Sequence, residues 1–363
     1  MRTSFKIGTI IGIPVKLHIT FLLILPVFAF VFATTEPPLG FAGTPSGLMV
    51  YALSLITTIL LFVCVLLHEA GHSYIAKGYG VEIRDITLLL FGGVSSMEEI
   101  PRVPSQELKM AFAGPFVSFV IGVTLLALNV LVSSSVAGYS DTSIFLMLNI
   151  LGSINIVLAL FNLLPAFPMD GGRLLRAWYA KRMSYVKATH YAASFGKLFA
   201  FLMGIIGLFF NPWLILIAFF VYIGASEEDR STTITVLLER YSVKDIMTAD
   251  VVSVSPDINV EDLSKLMFEK KHLGYPVVKG NSLKGIVTFT DIRNILPHER
   301  YAKLVSDIMI SDVISVSPQD PASEAFKVMT RNNIGRVLVM DKGELVGILS
   351  RSDLMRAMTL LNE

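Results

Sequence analysis

Cysteine is almost missing from this chain of 363 residues: Cys64 stands alone. A single thiol excludes an internal disulfide and any cysteine-built metal site. Set inside an apolar run, it reads as a small buried hydrophobe. Charge is scarce as well. Asp, Glu, Lys and Arg make up 16% of the residues against 53% hydrophobic, whereas soluble domains carry about 25% charged residues. A large part of the chain is therefore solvated by lipid. Neither sign of charge predominates, and a formal net charge of +1 gives no electrostatic reason to invoke nucleic acid. A cleavable leader is not expected either. Arg2 and Lys6 precede a Gly/Pro-interrupted stretch, and no small-residue cleavage site closes a short apolar core.

What is present begins with six apolar runs, at about 17–34, 48–72, 109–133, 143–164, 190–209 and 212–226, each a candidate for the roughly 20 residues a bilayer span needs. Asn211-Pro212 separates the last two and reads as a tight turn between antiparallel spans. The connectors 35–47, 134–142 and 210–212 carry no Lys or Arg. The opposite ones carry Arg84, Arg102, Lys109, Arg173, Arg176, Lys181, Arg182 and Lys187, and Arg2, Lys6 and Lys16 fall on that same side. The positive-inside rule then puts both termini in the cytoplasm, and these cations need no role beyond topology. Between the second and third spans, the short runs 86–90 and 94–97 flank Gly92-Gly93, a hairpin signal. Such backbone at membrane depth survives only when buried in protein or lining a wet cavity.

Chemistry enters at His68-Glu69-Ala70-Gly71-His72, directly after an uncharged run at 48–67. On a helix the four-residue spacing places both imidazoles on one face beside a candidate general base, the pattern of a zinc hydrolase. Catalytic zinc takes three protein ligands and leaves a position open for water. The run that ends the fourth span, Asn162-Leu-Leu-Pro165-Ala-Phe-Pro168-Met-Asp170-Gly171-Gly172, offers the third. A carboxylate after so apolar a stretch is costly and should face protein, and Asp170 is a competent ligand. Glu69 would then act on a water of lowered pKa. His18 and His190 are read as interfacial polar residues rather than ligands.

HEAGH with NLLPAFPMDGG resembles the site-2 protease family of intramembrane zinc metalloproteases, whose motifs are HExxH and NxxPxxxxDG. The resemblance covers the membrane half. It implies His68, His72 and Asp170 as ligands of one zinc ion per chain, Glu69 as the catalytic glutamate, and Asn162 near the scissile peptide. Ala113-Gly114-Pro115-Phe116-Val117-Ser118 resembles the family's third-span element, read here as close helix packing only. The Gly92-Gly93 segment resembles its membrane-embedded strand region, where an unwound transmembrane substrate would add as a strand.

After a polar stretch at 227–240, read as a linker, the chain repeats with an offset of 62 residues. Val243-Lys-Asp-Ile-Met247 returns as Val305-Ser-Asp-Ile-Met309, and Gly285, Thr288 and Asp291 return as Gly347, Ser350 and Asp353. Each unit resembles a cystathionine-β-synthase (CBS) domain, giving repeats at 241–300 and 301–363 after a membrane domain at 1–226. The resemblance implies an adenine nucleotide such as ATP as ligand, with Thr288, Asp291, Ser350 and Asp353 at its phosphate and ribose, and CBS pairs can also join chains as homodimers. Gly274-Tyr-Pro-Val-Val278 is matched by Gly335-Arg336-Val337-Leu338-Val339, which lacks the proline and argues against two equivalent sites.

The expected fold is an α-helical polytopic membrane protein of about six transmembrane helices with a membrane-associated β-hairpin, followed by an α/β tandem CBS module. The expected function is zinc-dependent intramembrane endopeptidase acting on transmembrane protein substrates in the cell membrane. The alternative, a transporter or channel with a CBS tail, predicts ionisable residues along a pathway and an internal membrane repeat; here the polar groups concentrate in two motifs. An inactive scaffold is disfavoured by the intact His68, Glu69, His72 and Asp170.

Overall fold

The computed structural model describes residues 4–43, 47–89, 92–97, 101–136, 138–139, 142–280 and 282–361; Arg2 and Leu90 lie outside them. The chain divides into two compact units, Met1–Asp229 and Arg230–Glu363.

Each of the six apolar runs forms a helix. In chain order they are α1 (Phe21–Thr34), α2 (Leu48–Gly78), α3 (Pro104–Ser135), α4 (Ser143–Asn162), α6 (Tyr185–Phe210) and α7 (Pro212–Leu238), with the short α5 (Asp170–Ala180) between α4 and α6. Among the described residues, α2, α3, α4 and α6 are long and apolar enough to cross a membrane. With 14 residues, α1 reaches only about 21 Å at 1.5 Å per residue, short of a bilayer core of about 30 Å. The run expected from residue 17 loses its first four positions to a strand and turn. The apolar first half of α7 continues without a break into Glu227, Glu228 and Asp229. The stretch 227–240 is thus helical through Leu238 rather than a linker, and Ile234 and Leu238 are buried in the core of the second unit.

The expected hairpin belongs to a larger sheet. Strands β1 (Ser4–Ile10), β2 (Ile13–His18), β3 (Ile83–Leu89) and β4 (Gly92–Met97) lie in that order. β2 and β3 are parallel and the other pairs antiparallel. The sequence pattern does not announce β1 and β2, whose alternation is interrupted by glycines and Pro14. Gly92-Gly93 is not the turn: the two glycines pair with Leu89 and Leu88 inside β4. A lysine–carboxylate pair, Lys16 Nζ to Asp85 Oδ2 at 2.6 Å, staples β2 to β3. Burial pushes the Asp85 carboxyl up, but hydrogen bonds from Lys16 and Thr87 outweigh it and hold it below its ordinary value.

α2 and α3 cross closely where a Cβ on Gly71 would meet Val117 and the Ala113 carbonyl. At the other end of the bundle, Phe32, Phe41, Leu61, Leu146, Ile150 and Leu151 form an apolar core.

The second unit reproduces the repeat, with one strand of the second half reduced in the first half to a single bridge between Val254 and Val277. Its first half is α8 (Val243–Ile246), α9 (Val260–Lys270), β5 (Gly274–Lys279), β6 (Ser282–Thr288) and α10 (Phe289–Arg293); its second is α11 (Val305–Ile308), β7 (Ser315–Val316), α12 (Ala322–Arg331), β8 (Arg336–Asp341), β9 (Glu344–Ser350) and α13 (Arg351–Leu361). The halves exchange their first helices. Val243 of α8 is buried with Val316, Ala322, Val337 and Leu349, and Val305 of α11 with Val260, Leu263, Val277 and Val287. A cut at residue 300 therefore divides the sequence repeat but not the packed cores. Strand register also corrects one alignment. Gly274 pairs with Thr288 and Arg336 with Ser350, so the counterpart of Gly274 is Arg336, not Gly335.

Candidate metal centre

The long α2 presents His68 and His72 on one face, one turn apart, both buried at 5% and 6% exposure. The third group comes from the start of α5. The chain leaves α4 at Asn162, folds through Pro165 and Pro168, and re-enters a helix at Asp170. Side chains on Gly171 and Gly172 would strike the Leu163 and Leu164 carbonyls and the backbone at Ala166 and Phe167. The two glycines thus let the loop lie flat on the first turn of α5, which fixes where Asp170 points.

His72 Nε2 lies 3.2 Å from His68 Nε2 and 3.1 Å from Asp170 Oδ2, and His68 Nε2 is 3.4 Å from the same oxygen. Among the described residues, these three atoms form the group that could hold a metal ion. Tetrahedral zinc with ligands at about 2.0–2.1 Å has ligand–ligand edges of about 3.3 Å, so the triangle has the right size. The tautomer fits too. His72 Nδ1 lies 2.7 Å from the Met110 carbonyl oxygen, which can only accept, so the proton sits on Nδ1 and Nε2 offers a lone pair. His68 Nδ1 is engaged by the Ser118 hydroxyl at 3.0 Å. An imidazole lone pair, a second imidazole nitrogen and a carboxylate oxygen converging in a buried site suit a cation.

Met110, Gly114 and Ser118 recur every four residues along α3 and face α2. Gly114 does more than permit close packing. A Cβ there would collide with Nε2 and Cε1 of His72 and with Nε2 of His68, so this glycine keeps open the space in front of the two imidazole nitrogens. Its signal in the sequence is the small residue itself, one helical turn from Ser118.

Glu69 turns toward the sheet. Ser95 of β4 donates to its Oε2 at 2.8 Å, Ser73 donates to Ser95 at 3.3 Å, and a Cβ on Gly93 would overlap the Glu69 side chain. β4 is an edge of the sheet, so an edge strand runs past the glutamate. Asn162 is not brought to the triangle by any hydrogen bond of the described residues; its amide donates to the Leu158 carbonyl one turn back at 2.9 Å. His18 pairs with Thr20 and His190 with Asp229, away from the three ligand atoms. Arg176 does more than set topology. At 1% exposure it donates to Glu107, itself fully buried, from Nε at 2.7 Å, and it pairs with Glu228. Phe167 and Tyr185 lie at 5.0 Å and 4.9 Å from its guanidinium carbon. This joins α3, α5 and α7 beneath the ligand loop.

In the second unit Thr288 and Ser350 each donate from main chain and hydroxyl to Oδ2 of Asp291 and Asp353, at 2.6–2.9 Å. Each carboxylate thereby caps its own helix. Its Oδ1 makes no hydrogen bond among the described residues. Thr288 and Asp291 line a cavity of ≈ 430 Å³, and Ser350 and Asp353 line another of ≈ 380 Å³.

An HExxH pair beside a carboxylate from a neighbouring helix of an apolar bundle is the arrangement an intramembrane zinc metalloprotease requires. Family models agree in both halves of the chain, peptidase family M50 at residues 56–144 and 131–204 and the CBS domain at 243–298 and 305–360. A zinc metalloprotease of Methanocaldococcus jannaschii is 40% identical over 365 residues, covering 99% of this chain and 98% of the relative. Rip3 of Mycobacterium tuberculosis is 31% identical over 371 residues, 98% of this chain and 93% of its own. The solved site-2 protease from Methanocaldococcus jannaschii is 42% identical, covers 62% of this chain and 95% of its own, and superposes with a TM-score of 0.44. The chain belongs to peptidase family M50, the site-2 proteases, and carries a tandem CBS module; it is a zinc-dependent intramembrane endopeptidase.

Proposed function

We propose that His68, His72 and Asp170 hold one zinc ion per chain and that Glu69 is the general base for hydrolysis of a peptide bond in a transmembrane segment. The observation that carries this is the convergence of the two Nε2 atoms and Asp170 Oδ2 to within 3.1–3.4 Å of one another, with Glu69 one residue along the same helix. Zinc, when bound, supplies Lewis acidity and lowers the pKa of water. The rest is the work of the side chains. Glu69, oriented by Ser95, takes the water's proton and returns it to the leaving amine. Buried surroundings at the triangle limit bulk water, which strengthens each electrostatic interaction.

A helical substrate hides its carbonyls in hydrogen bonds and must unwind to be cut. The free edge of β4 is a template on which the unwound segment pairs as an added strand, its backbone groups satisfied beside Glu69. Asn162, by its position in the family motif, contacts that segment or the developing oxyanion. The asymmetry of Lys and Arg among the connectors supports cytoplasmic termini and a cytoplasmic CBS pair in the cell membrane. The two cavities beside Asp291 and Asp353 support adenine nucleotide as the CBS ligand, coupled to proteolysis, and the CBS pair is also the surface through which two chains would join.

The test is zinc quantification on the purified full-length chain together with cleavage of a panel of transmembrane peptides, with and without ATP. One zinc per chain and cleavage within an apolar segment are expected. Absence of proteolysis with zinc bound would overturn the assignment.

A further inference from the structure

The repeat relates the two cavities of the CBS pair in shape but not in charge. Each receives two carboxylates at matching positions: Asp291 and Asp312 in one, Asp353 and Asp250 in the other. The cations do not match. The Ser350–Asp353 cavity is lined by Lys271 and Arg356, while the Thr288–Asp291 cavity has Asn333 at the place of Lys271 and no counterpart to Arg356 on its wall. Arg336 lines both. It stands where the first repeat has Gly274, and a Cβ on Gly274 would collide with the Arg336 guanidinium. That glycine is therefore the space the arginine occupies.

Arg336 is half-buried, and its guanidinium makes no hydrogen bond or ion pair with any described residue. Burial pulls its pKa down, and the Asp353 carboxylate pulls it back up in part. A cation withdrawn from water without a partner is costly unless an anion completes it. The planar fork of arginine suits a phosphate in particular.

We infer that Arg336, with Lys271 and Arg356, makes the Ser350–Asp353 cavity the phosphate-selective site of the pair, so that each chain binds one phosphorylated nucleotide there and none comparably at the Thr288–Asp291 cavity. The inference rests on the reading of the CBS pair as a nucleotide module and adds the site, the charge of the ligand and the stoichiometry. A single shared arginine cannot neutralise phosphates in both cavities at once, and only one cavity has further cations.

Equilibrium binding of AMP and of uncharged adenosine to the purified full-length chain tests it. One AMP per chain is expected, with affinity falling as salt rises. Arg336→Gln should weaken AMP about tenfold or more, as loss of a charged hydrogen bond does, while changing adenosine binding less than twofold. Exposed Arg356→Gln should act in the same sense, and it carries the test if Arg336→Gln fails to fold. Asn333→Ala, on the wall of the Thr288–Asp291 cavity, should leave AMP affinity within twofold. Two AMP bound per chain with equal affinity, equal loss of AMP and adenosine in the arginine variants, or loss of AMP in Asn333→Ala would each overturn the inference. If the wild type binds neither AMP nor adenosine, the nucleotide reading falls and the inference with it. If it binds both and the arginine variants are indifferent, only the inference falls.

Discussion

Gly114 of α3 faces His72 of α2 so closely that no side chain fits between the helix backbone and the imidazole Nε2. Helix packing alone would tolerate alanine at many such positions; here the added methyl would occupy the space before the Nε2 atoms of His68 and His72. Gly114→Ala should therefore strip zinc from the purified protein, lowering zinc content at least tenfold, with helix content by circular dichroism unchanged. Full zinc occupancy in this variant would show that α3 relaxes away and that the glycine serves packing only.

Glu69→Gln keeps the size of the side chain and removes its basicity. Zinc content should stay near one per chain, while cleavage of a transmembrane peptide should fall by about 10²-fold or more, the range for loss of a general base. Zinc loss in this variant would instead make Glu69 part of the binding set.

Ser95 ties the edge strand to the glutamate by the 2.8 Å hydrogen bond to Oε2. Ser95→Ala should slow cleavage several-fold with zinc retained, because Glu69 loses the donor that orients it. Ser73→Ala, one bond further out, should have the smaller effect. The reverse order would place the orienting contact on α2 rather than on the sheet.

Arg176 and Glu107 form a buried ion pair between α5 and α3, with Nη2 to Oε1 at 2.6 Å. Removing one partner of such a pair costs about 3–5 kcal/mol, because the other charge stays buried alone. Arg176→Met or Glu107→Gln should each destabilise the detergent-solubilised protein by that order in SDS unfolding. The double variant should lose less than the sum of the two. Additive losses would mean that the two side chains act independently.

The residues of the candidate metal centre are legible in the sequence because their chemistry is local: the spacing of His68 and His72 is a helix period, and Asp170 announces itself as a carboxylate after an apolar run. The supporting shell is not. Gly114 and the glutamates that hold Arg176 carry meaning only through contacts made across helices, and a Gly in an apolar run or an Arg near a helix end has a commoner explanation. β1 and β2 stay hidden because Gly8, Gly12 and Pro14 break the alternation that marks a strand, and because β2 finds its parallel partner β3 far along the chain. In the CBS pair, the 62-residue offset applied strictly sets Arg336 against Gly274. Matching glycine to glycine displaces that alignment by one residue and conceals the arginine.

The edge position of β4 also has a consequence for which substrates the proposed pairing would choose. If a substrate adds to β4 through main-chain hydrogen bonds, as proposed, the strand is indifferent to most side chains and reads conformation rather than letters. Selection would then fall to whichever transmembrane helix gives up its coil most cheaply, through glycine, proline or polar residues. Swapping helix-breaking residues into an inert peptide should turn it into a substrate without any shared cleavage motif.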